Sequence, residues 1–251
     1  NLLALSQVRR RVKKPKKIRK KFDDGIYKKI IKNFNFSLTS DQKKCISAIN
    51  KDLNSDSKMF RILQGDVGTG KTIVALLAAA NVINANSQVV LMAPTEILAK
   101  QHFDLANKMF NSTKVNIAFL TGKTKENIRK KIRENLLSGK INFLIGTHAV
   151  FQKKIQYKNL GLSIIDEQHK FGVKQRIELS NKGGRNCDIL LMSATPIPRT
   201  LIMTIYGDMD VSKIQEKPKN RKEIITLSKP EDKIDEIILF IKKQINNRNQ
   251  I

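Results

Sequence analysis

The sequence predicts an α/β domain with a mostly parallel central sheet flanked by helices. Three observations predict it. Short apolar runs recur, among them FRILQ (60–64), VVLMA (89–93) and DILLMSA (188–194). Longer stretches with helical periodicity separate them. Polar motifs follow the apolar runs at their C-terminal ends, where parallel sheets of this class bind ligands.

In chain order, residues 1–34 read as a basic arm. Ten of the fourteen residues from Val8 to Lys21 are Lys or Arg, and Pro15 interrupts any helix through them. Such an arm is either a solvated linker or a contact to a nucleic-acid backbone. The globular pattern begins at about Asn35. Ser40 can cap a helix running to about Leu53. FRILQ is a strand leading into a glycine-containing loop, and Thr72 to about Asn84 is the helix that leaves it. VVLMA precedes a helix from Glu96 to Phe110. VNIAFL (115–120) is followed by a Lys-rich helix to about Leu137. NFLIG (142–146), LSIID (162–166) and DILLMSA complete the strands.

A boundary is expected at Glu216–Lys222 (EKPKNRK), which is polar and contains Pro218. Residues 35–216 then form one domain, and 217–251 a connector and the start of a second. There EIITLS (223–228) reads as a strand. PEDKIDEIILFIKKQI (230–245) reads as an amphipathic helix with Ile234, Ile237, Ile238, Ile241 and Ile245 on one face.

The 251 residues carry a net charge of +26 from 48 basic and 22 acidic side chains. That balance points to a polyanionic partner, nucleic acid first. Most of the basic residues are Lys, so a general drift toward Lys, Ile and Asn accounts for the diffuse charge equally well. No apolar run approaches the roughly 18 residues of a membrane span. Cys45 and Cys187 are too few for a disulfide scaffold or a zinc site. Two free thiols suit the cytoplasm.

Gly65, Asp66, Val67, Gly68, Thr69, Gly70, Lys71 and Thr72 fit G-x-x-x-x-G-K-[ST]. A loop of this kind wraps a triphosphate with backbone N–H groups, and glycines allow the close approach. Lys71 supplies a cation to the β- and γ-phosphates, and the Thr72 hydroxyl is a Mg²⁺ ligand. The helix that follows presents its positive end to the anion. An NTPase also needs an acidic pair at a strand end. Asp166 and Glu167 follow the apolar run LSII: Asp166 to hold Mg²⁺, Glu167 to orient and deprotonate water. Gln42 lies upstream, where its amide could read adenine, and Phe36 could stack on the base or sit in the core.

Five segments occur in order: GDVGTGKT, APTEILAKQHF (93–103), GTHAVF (146–151), DEQHKFGVKQR (166–176) and SATPIPRTL (193–201). Together they resemble the first motor domain of a superfamily-two helicase, a RecA-like P-loop domain. The resemblance is closest to the RecG family, whose members use ATP to remodel stalled forks and Holliday junctions in recombination and repair. It runs from about Leu38 to Thr226. It implies that Thr95 and Glu96 lie near the DNA backbone and that Thr147 and His148 contact a strand. It implies that Gln168, His169, Ser193, Ala194 and Thr195 couple nucleotide state to DNA grip, and that Arg199 contacts DNA or a neighbouring domain. Each motif also has a plainer reading: Thr95 as a helix cap, His169 and Arg199 as surface groups. Thr69, Lys170 and Asn220 stand where the family usually has Ser, Arg and Gly. Lys170 lacks the planar fork of Arg.

The family's second RecA-like lobe, with its arginine finger, and its N-terminal wedge domain are missing from these residues. The expectation is a monomer that binds ATP, Mg²⁺ and branched or duplex DNA, with little turnover as this chain alone. Two other readings stay open: a non-catalytic ATP- and DNA-binding module, and a P-loop ATPase acting on protein. TEILAKQH and SATPIPRT argue against the last.

Overall fold

The computed structural model describes residues 20, 25–33, 37–166, 187–195, 209–216 and 228–247. Two compact units divide the chain, residues 1–218 and 219–251. Among the described residues of the first, the α-helices are α1 (Gly25–Asn33), α2 (Ser40–Leu53), α3 (Lys71–Asn84), α4 (Glu96–Phe110) and α5 (Glu126–Ser138). The strands are β1 (Phe60–Gly65), β2 (Gln88–Met92), β3 (Ile117–Leu120), β4 (Phe143–Gly146), β5 (Leu160–Ile165), β6 (Asp188–Ser193) and β7 (Asp210–Ile214).

The strands form one sheet in the order β3-β4-β2-β5-β6-β1-β7, with every pairing parallel. The six strands expected between residues 60 and 194 are all present, shifted by a residue or two at their ends. β7 is an addition. Its sequence DVSKI buries only alternate residues because it pairs with β1 on one side and ends the sheet on the other. An edge strand carries no continuous apolar run, so periodicity gave little sign of it.

Side chains alternate across the sheet and so split the core in two. Leu63, Val89, Leu91, Phe143, Ile145, Leu162, Ile164, Leu190 and Met192 face a cluster that includes α1, α2, α3 and α4. Ile62, Val90, Met92, Leu144, Ile165, Ile189 and Leu191 face the other way, toward Ile132 and Leu136 of α5. α3 is apolar nearly all round and buries every residue from Val74 to Ile83. A helix of that composition belongs inside a domain.

Thr39 caps α2, and Ser40 is its first helical residue. The Thr39 hydroxyl accepts from Gln42 N at 3.3 Å, and Gln42 Oε1 accepts from Thr39 N at 3.0 Å. This reciprocal pair satisfies two end amides at once, which Ser40 cannot do with the same partner.

Two features of the first 34 residues touch the core. Ile30 of α1 is fully buried. Lys20 is also buried: its ammonium donates to Gly161 O at 2.7 Å and pairs with Asp188 Oδ2 at 2.5 Å. The other basic residues between Val8 and Lys21 lie outside the described residues. In the second unit, α6 (Ile234–Asn246) follows a short 3₁₀ turn, and Ile234, Ile237, Ile238 and Ile245 are exposed. EIITLS falls outside the described residues except for Ser228. No helix among the described residues is long and apolar enough to cross a membrane.

Candidate nucleotide and nucleic-acid site

In a parallel sheet all strands end on one edge, and here that edge collects the motifs. In sheet order, β3 leads to Thr121–Thr124, β4 to Thr147 and His148, and β2 to Thr95 and Glu96. β5 leads to Asp166, β6 to Ala194 and Thr195, and β1 to the phosphate-type loop. The ends of β4 and β2 thus carry the residues expected near a DNA strand, those of β5 and β1 the residues expected at a nucleotide, and β6 the residues expected to couple the two. β1 and β5 flank β6, so their ends stand roughly 10 Å apart at the usual strand spacing.

The loop turns on two left-handed glycines, Gly68 (φ 81°) and Gly70 (φ 86°). Gly70 is the N-cap of α3 and offers no side-chain oxygen to its first amides, whereas Thr39 and Thr95 cap α2 and α4. A helix end of that kind suits an anion. A Cβ on Gly65 would stand 2.6 Å from Thr69 Oγ1 and 2.9 Å from Ile214 O. One on Gly70 would collide with Gln42 Nε2. Thr69 is fully buried, and its hydroxyl donates to Asp66 O at 2.9 Å. Asp66 and Val67 are exposed at the loop tip, where Asp66 Oδ1 accepts from Val67 N at 2.8 Å. Lys71 folds back over the loop, donating to Gly65 O at 2.6 Å and Asp66 O at 3.0 Å. Thr72 is half-buried in the first turn of α3.

Gln42 is brought to this loop, but with its amide turned to protein. Nε2 donates to Thr69 O at 2.8 Å while Oε1 serves the Thr39 cap, and the residue is 2 % exposed. A base would have to displace one of these partners to be read.

Asp166 follows β5 directly. Its backbone N donates to Met92 O at 2.9 Å, and its side chain is 10% exposed. Oδ2 accepts from His102 Nε2 at 2.6 Å. His102 went unassigned in the sequence although it lies inside APTEILAKQHF. The available signal was its phase: Ala99, His102, Ala106 and Met109 share the buried face of α4.

On the other half of the edge, the Thr95 hydroxyl accepts from Leu98 N at 3.2 Å, the capping role its sequence allows. Glu96 pairs with Lys123 at 3.0 Å, and that hydrogen bond holds its carboxyl below the usual range. Arg129 binds Thr121 O, Gly122 O and Gln152 Oε1. It thereby fixes the loop that carries Lys123, a cation that no sequence motif marks. Thr147 is half-buried and His148 exposed. Ser193 is fully buried between the loop and Asp166, bonded through Oγ to Thr195 O and Oγ1 at 3.0 Å each. Ala194 is half-buried and Thr195 exposed. Glu167, Gln168, His169, Lys170, Arg199, Phe36 and Asn220 lie outside the described residues. Both cysteines are free and buried, and burial pushes both thiols up.

The sequence profile of the DEAD/DEAH box helicases matches residues 39–204. The chain belongs to that family. The ATP-dependent DNA helicase RecG of Thermotoga maritima is 43% identical over 248 residues, 99% of this chain and 32% of that protein. RecG of Bacillus subtilis is 45% identical over 233 residues, 93% of this chain and 34% of that protein. A solved structure of RecG bound to a three-way DNA junction matches with a TM-score of 0.86 and 39% identity, over 98% of this chain and 33% of that one. The DEAD-box helicase Mss116, solved with ssRNA and UDP-BeF, has a TM-score of 0.64 at 23% identity over 90% of this chain and 51% of its own, a likeness of fold. This DEAD/DEAH box chain thus spans about a third of the length of the RecG proteins it matches. Membership implies the use of ATP. The glycine cradle, the lysine above it and the anion-ready end of α3 fit a triphosphate.

Proposed function

We propose that the chain is the first motor lobe of an ATP-dependent DNA helicase or translocase that remodels branched DNA in recombination and repair. One observation carries this reading: the segments that resemble nucleotide-binding and strand-contacting motifs open side by side on one edge of a single sheet. The likeness to RecG, including a RecG solved on a DNA junction, supports the substrate class. Residues 35–216 form the lobe, 1–34 an arm ahead of it, and 217–251 a connector and the start of a second lobe. The protein works as a monomer in the cytoplasm.

Lys71 turns from the loop carbonyls to the β- and γ-phosphates, which the loop amides from Gly65 to Thr72 cradle. Thr72 and Asp166 supply hard oxygen donors, the kind Mg²⁺ takes. Mg²⁺, when bound, neutralises charge on the phosphate oxygens. Glu167 orients the attacking water and accepts its proton. Thr95, Glu96, Thr147 and His148 face a DNA strand. Gln168, His169, Ser193, Ala194, Thr195 and Arg199 link that grip to the nucleotide.

ATPase assays with and without forked DNA test this, on the chain alone and on the chain joined to a second RecA-like lobe. Turnover should be slow alone, because an arginine finger is worth about 10³ to 10⁵ in rate. It should rise with the lobe and rise again with forked DNA, and Lys71→Ala should abolish it. Robust unwinding by the chain alone would sink the proposal. So would ATP binding that never leads to turnover once the lobe is joined.

A further inference from the structure

We propose that His102 is a positioning residue: it fastens the metal-holding carboxylate of Asp166 to α4, the helix whose first turn carries Thr95 and Glu96. The inference rests on the reading of Asp166 as a Mg²⁺ ligand.

Both partners are 7 % exposed, and the bond between them is 2.6 Å long. The other buried positions of α4 are Ala99, Ala106, Met109 and Phe110. A polar side chain on such a face costs stability unless its bond is made, and here the bond goes to the carboxylate at the end of β5. The backbone of Asp166 is already fixed to Met92 at the end of β2. With Oδ2 held as well, the carboxylate plane is set by protein before any ligand arrives. Groups that orient a metal-holding side chain in this way typically matter about 10- to 100-fold in metal affinity. The helix adds direction to the bond. Glu96 and His102 lie six residues apart, about 9 Å along a rigid helix. A strand gripping the first turn of α4 and a metal held by Asp166 therefore act on one body.

The test measures binding of a fluorescent ATP analogue to the 251-residue chain in EDTA and across a Mg²⁺ titration. In wild type, Mg²⁺ should tighten binding. In His102→Ala the Mg²⁺ concentration giving half of that tightening should rise about 10-fold or more, while affinity in EDTA stays at the wild-type value. His102→Gln places an amide N–H at similar reach and should restore the wild-type midpoint. His102→Asn, one methylene shorter, should behave like alanine. The Gln and Asn pair keeps the comparison alive if His102→Ala does not fold. A wild-type midpoint in His102→Ala or His102→Asn overturns the inference. So does a loss of affinity that is equal in EDTA and Mg²⁺, the mark of a merely structural role. Asp166→Asn separates the two layers. If it too leaves the Mg²⁺ response unchanged, or if wild type shows no response, the reading of Asp166 itself fails and the inference falls with it.

Discussion

The side-chain amide of Gln42 donates to the carbonyl of Thr69 across 2.8 Å, tying the first turn of α2 to the middle of the phosphate-type loop. The same amide completes the Thr39 cap. Removing it leaves a loop carbonyl and a cap amide without their partner. Gln42→Ala should therefore lower stability by about 1–3 kcal/mol. It should also weaken ATP and GTP binding by similar factors, because the loop and not the base is disturbed. Isothermal titration with both nucleotides checks this. A loss confined to ATP would mean that the amide reads adenine after all.

Gly70 has a φ of +86°, and a Cβ there would run into Gln42 Nε2. Left-handed backbone costs a non-glycine residue roughly 1–2 kcal/mol, and the collision adds to it by pushing Gln42 off Thr69. Gly70→Ala should lower the thermal midpoint by about 4 °C or more, at the usual 2–4 °C per kcal/mol for a domain of this size. Nucleotide binding should fall below detection, since loop and brace move together. Unchanged nucleotide affinity with a lowered midpoint would show that the brace does not shape the loop.

Most of the sheet was legible because its inner strands are buried on both faces and read as unbroken apolar runs: QVVLM, LGLSII and DILLMS. β7 was not, since DVSKI is half exposed at an edge. The loop was legible from glycine and lysine spacing alone, because backbone geometry dictates those residue types. The partners of its polar groups were not. Gln42 and Thr69 are 27 residues apart, and His102 and Asp166 are 64 apart. Periodicity can place a residue on the inward face of a helix, but it cannot say which carboxylate that face meets. Lys20 shows the same limit, for a segment with ten basic residues in fourteen reads as a solvated linker or a nucleic-acid contact, while one of its members is buried at the opposite end of the sheet.

That Lys20 ammonium is held by Asp188 Oδ2 and Gly161 O, and Asp188 Oδ1 accepts from Met59 N at 2.7 Å. Asp188 is fully buried. Breaking one side of a buried pair strands the other charge, at about 3–5 kcal/mol. Lys20→Met should cost that much, roughly 10 °C in the thermal midpoint. Adding Asp188→Asn should recover a large part, because the amide oxygen keeps the Met59 bond without a charge. Additive losses in the double variant, followed by urea unfolding, would count against a charge pair as the cause.

In the first turn of α2, beside Gln42, Asp41 Oδ2 accepts from Gln215 N at 3.0 Å and Glu216 N at 3.1 Å, clasping the chain where β7 ends. Those two backbone bonds, the Gln215 bond first, hold the carboxyl below its ordinary value of 3.8. A carboxylate lowered in the folded state contributes stability that is fully present above the ordinary value. That contribution is lost as pH falls through the lower folded value. Asp41→Asn should therefore be less stable than wild type at neutral pH, by a gap that holds steady down to about pH 5 and narrows below pH 3.8. Urea midpoints of the two proteins from neutral to acid pH measure the gap. The Asp41 side chain is part-exposed, so the gap should also shrink in high salt, as screened charge does. A gap that keeps its size through the acid range would assign the clasp to shape and not to the charge of Asp41.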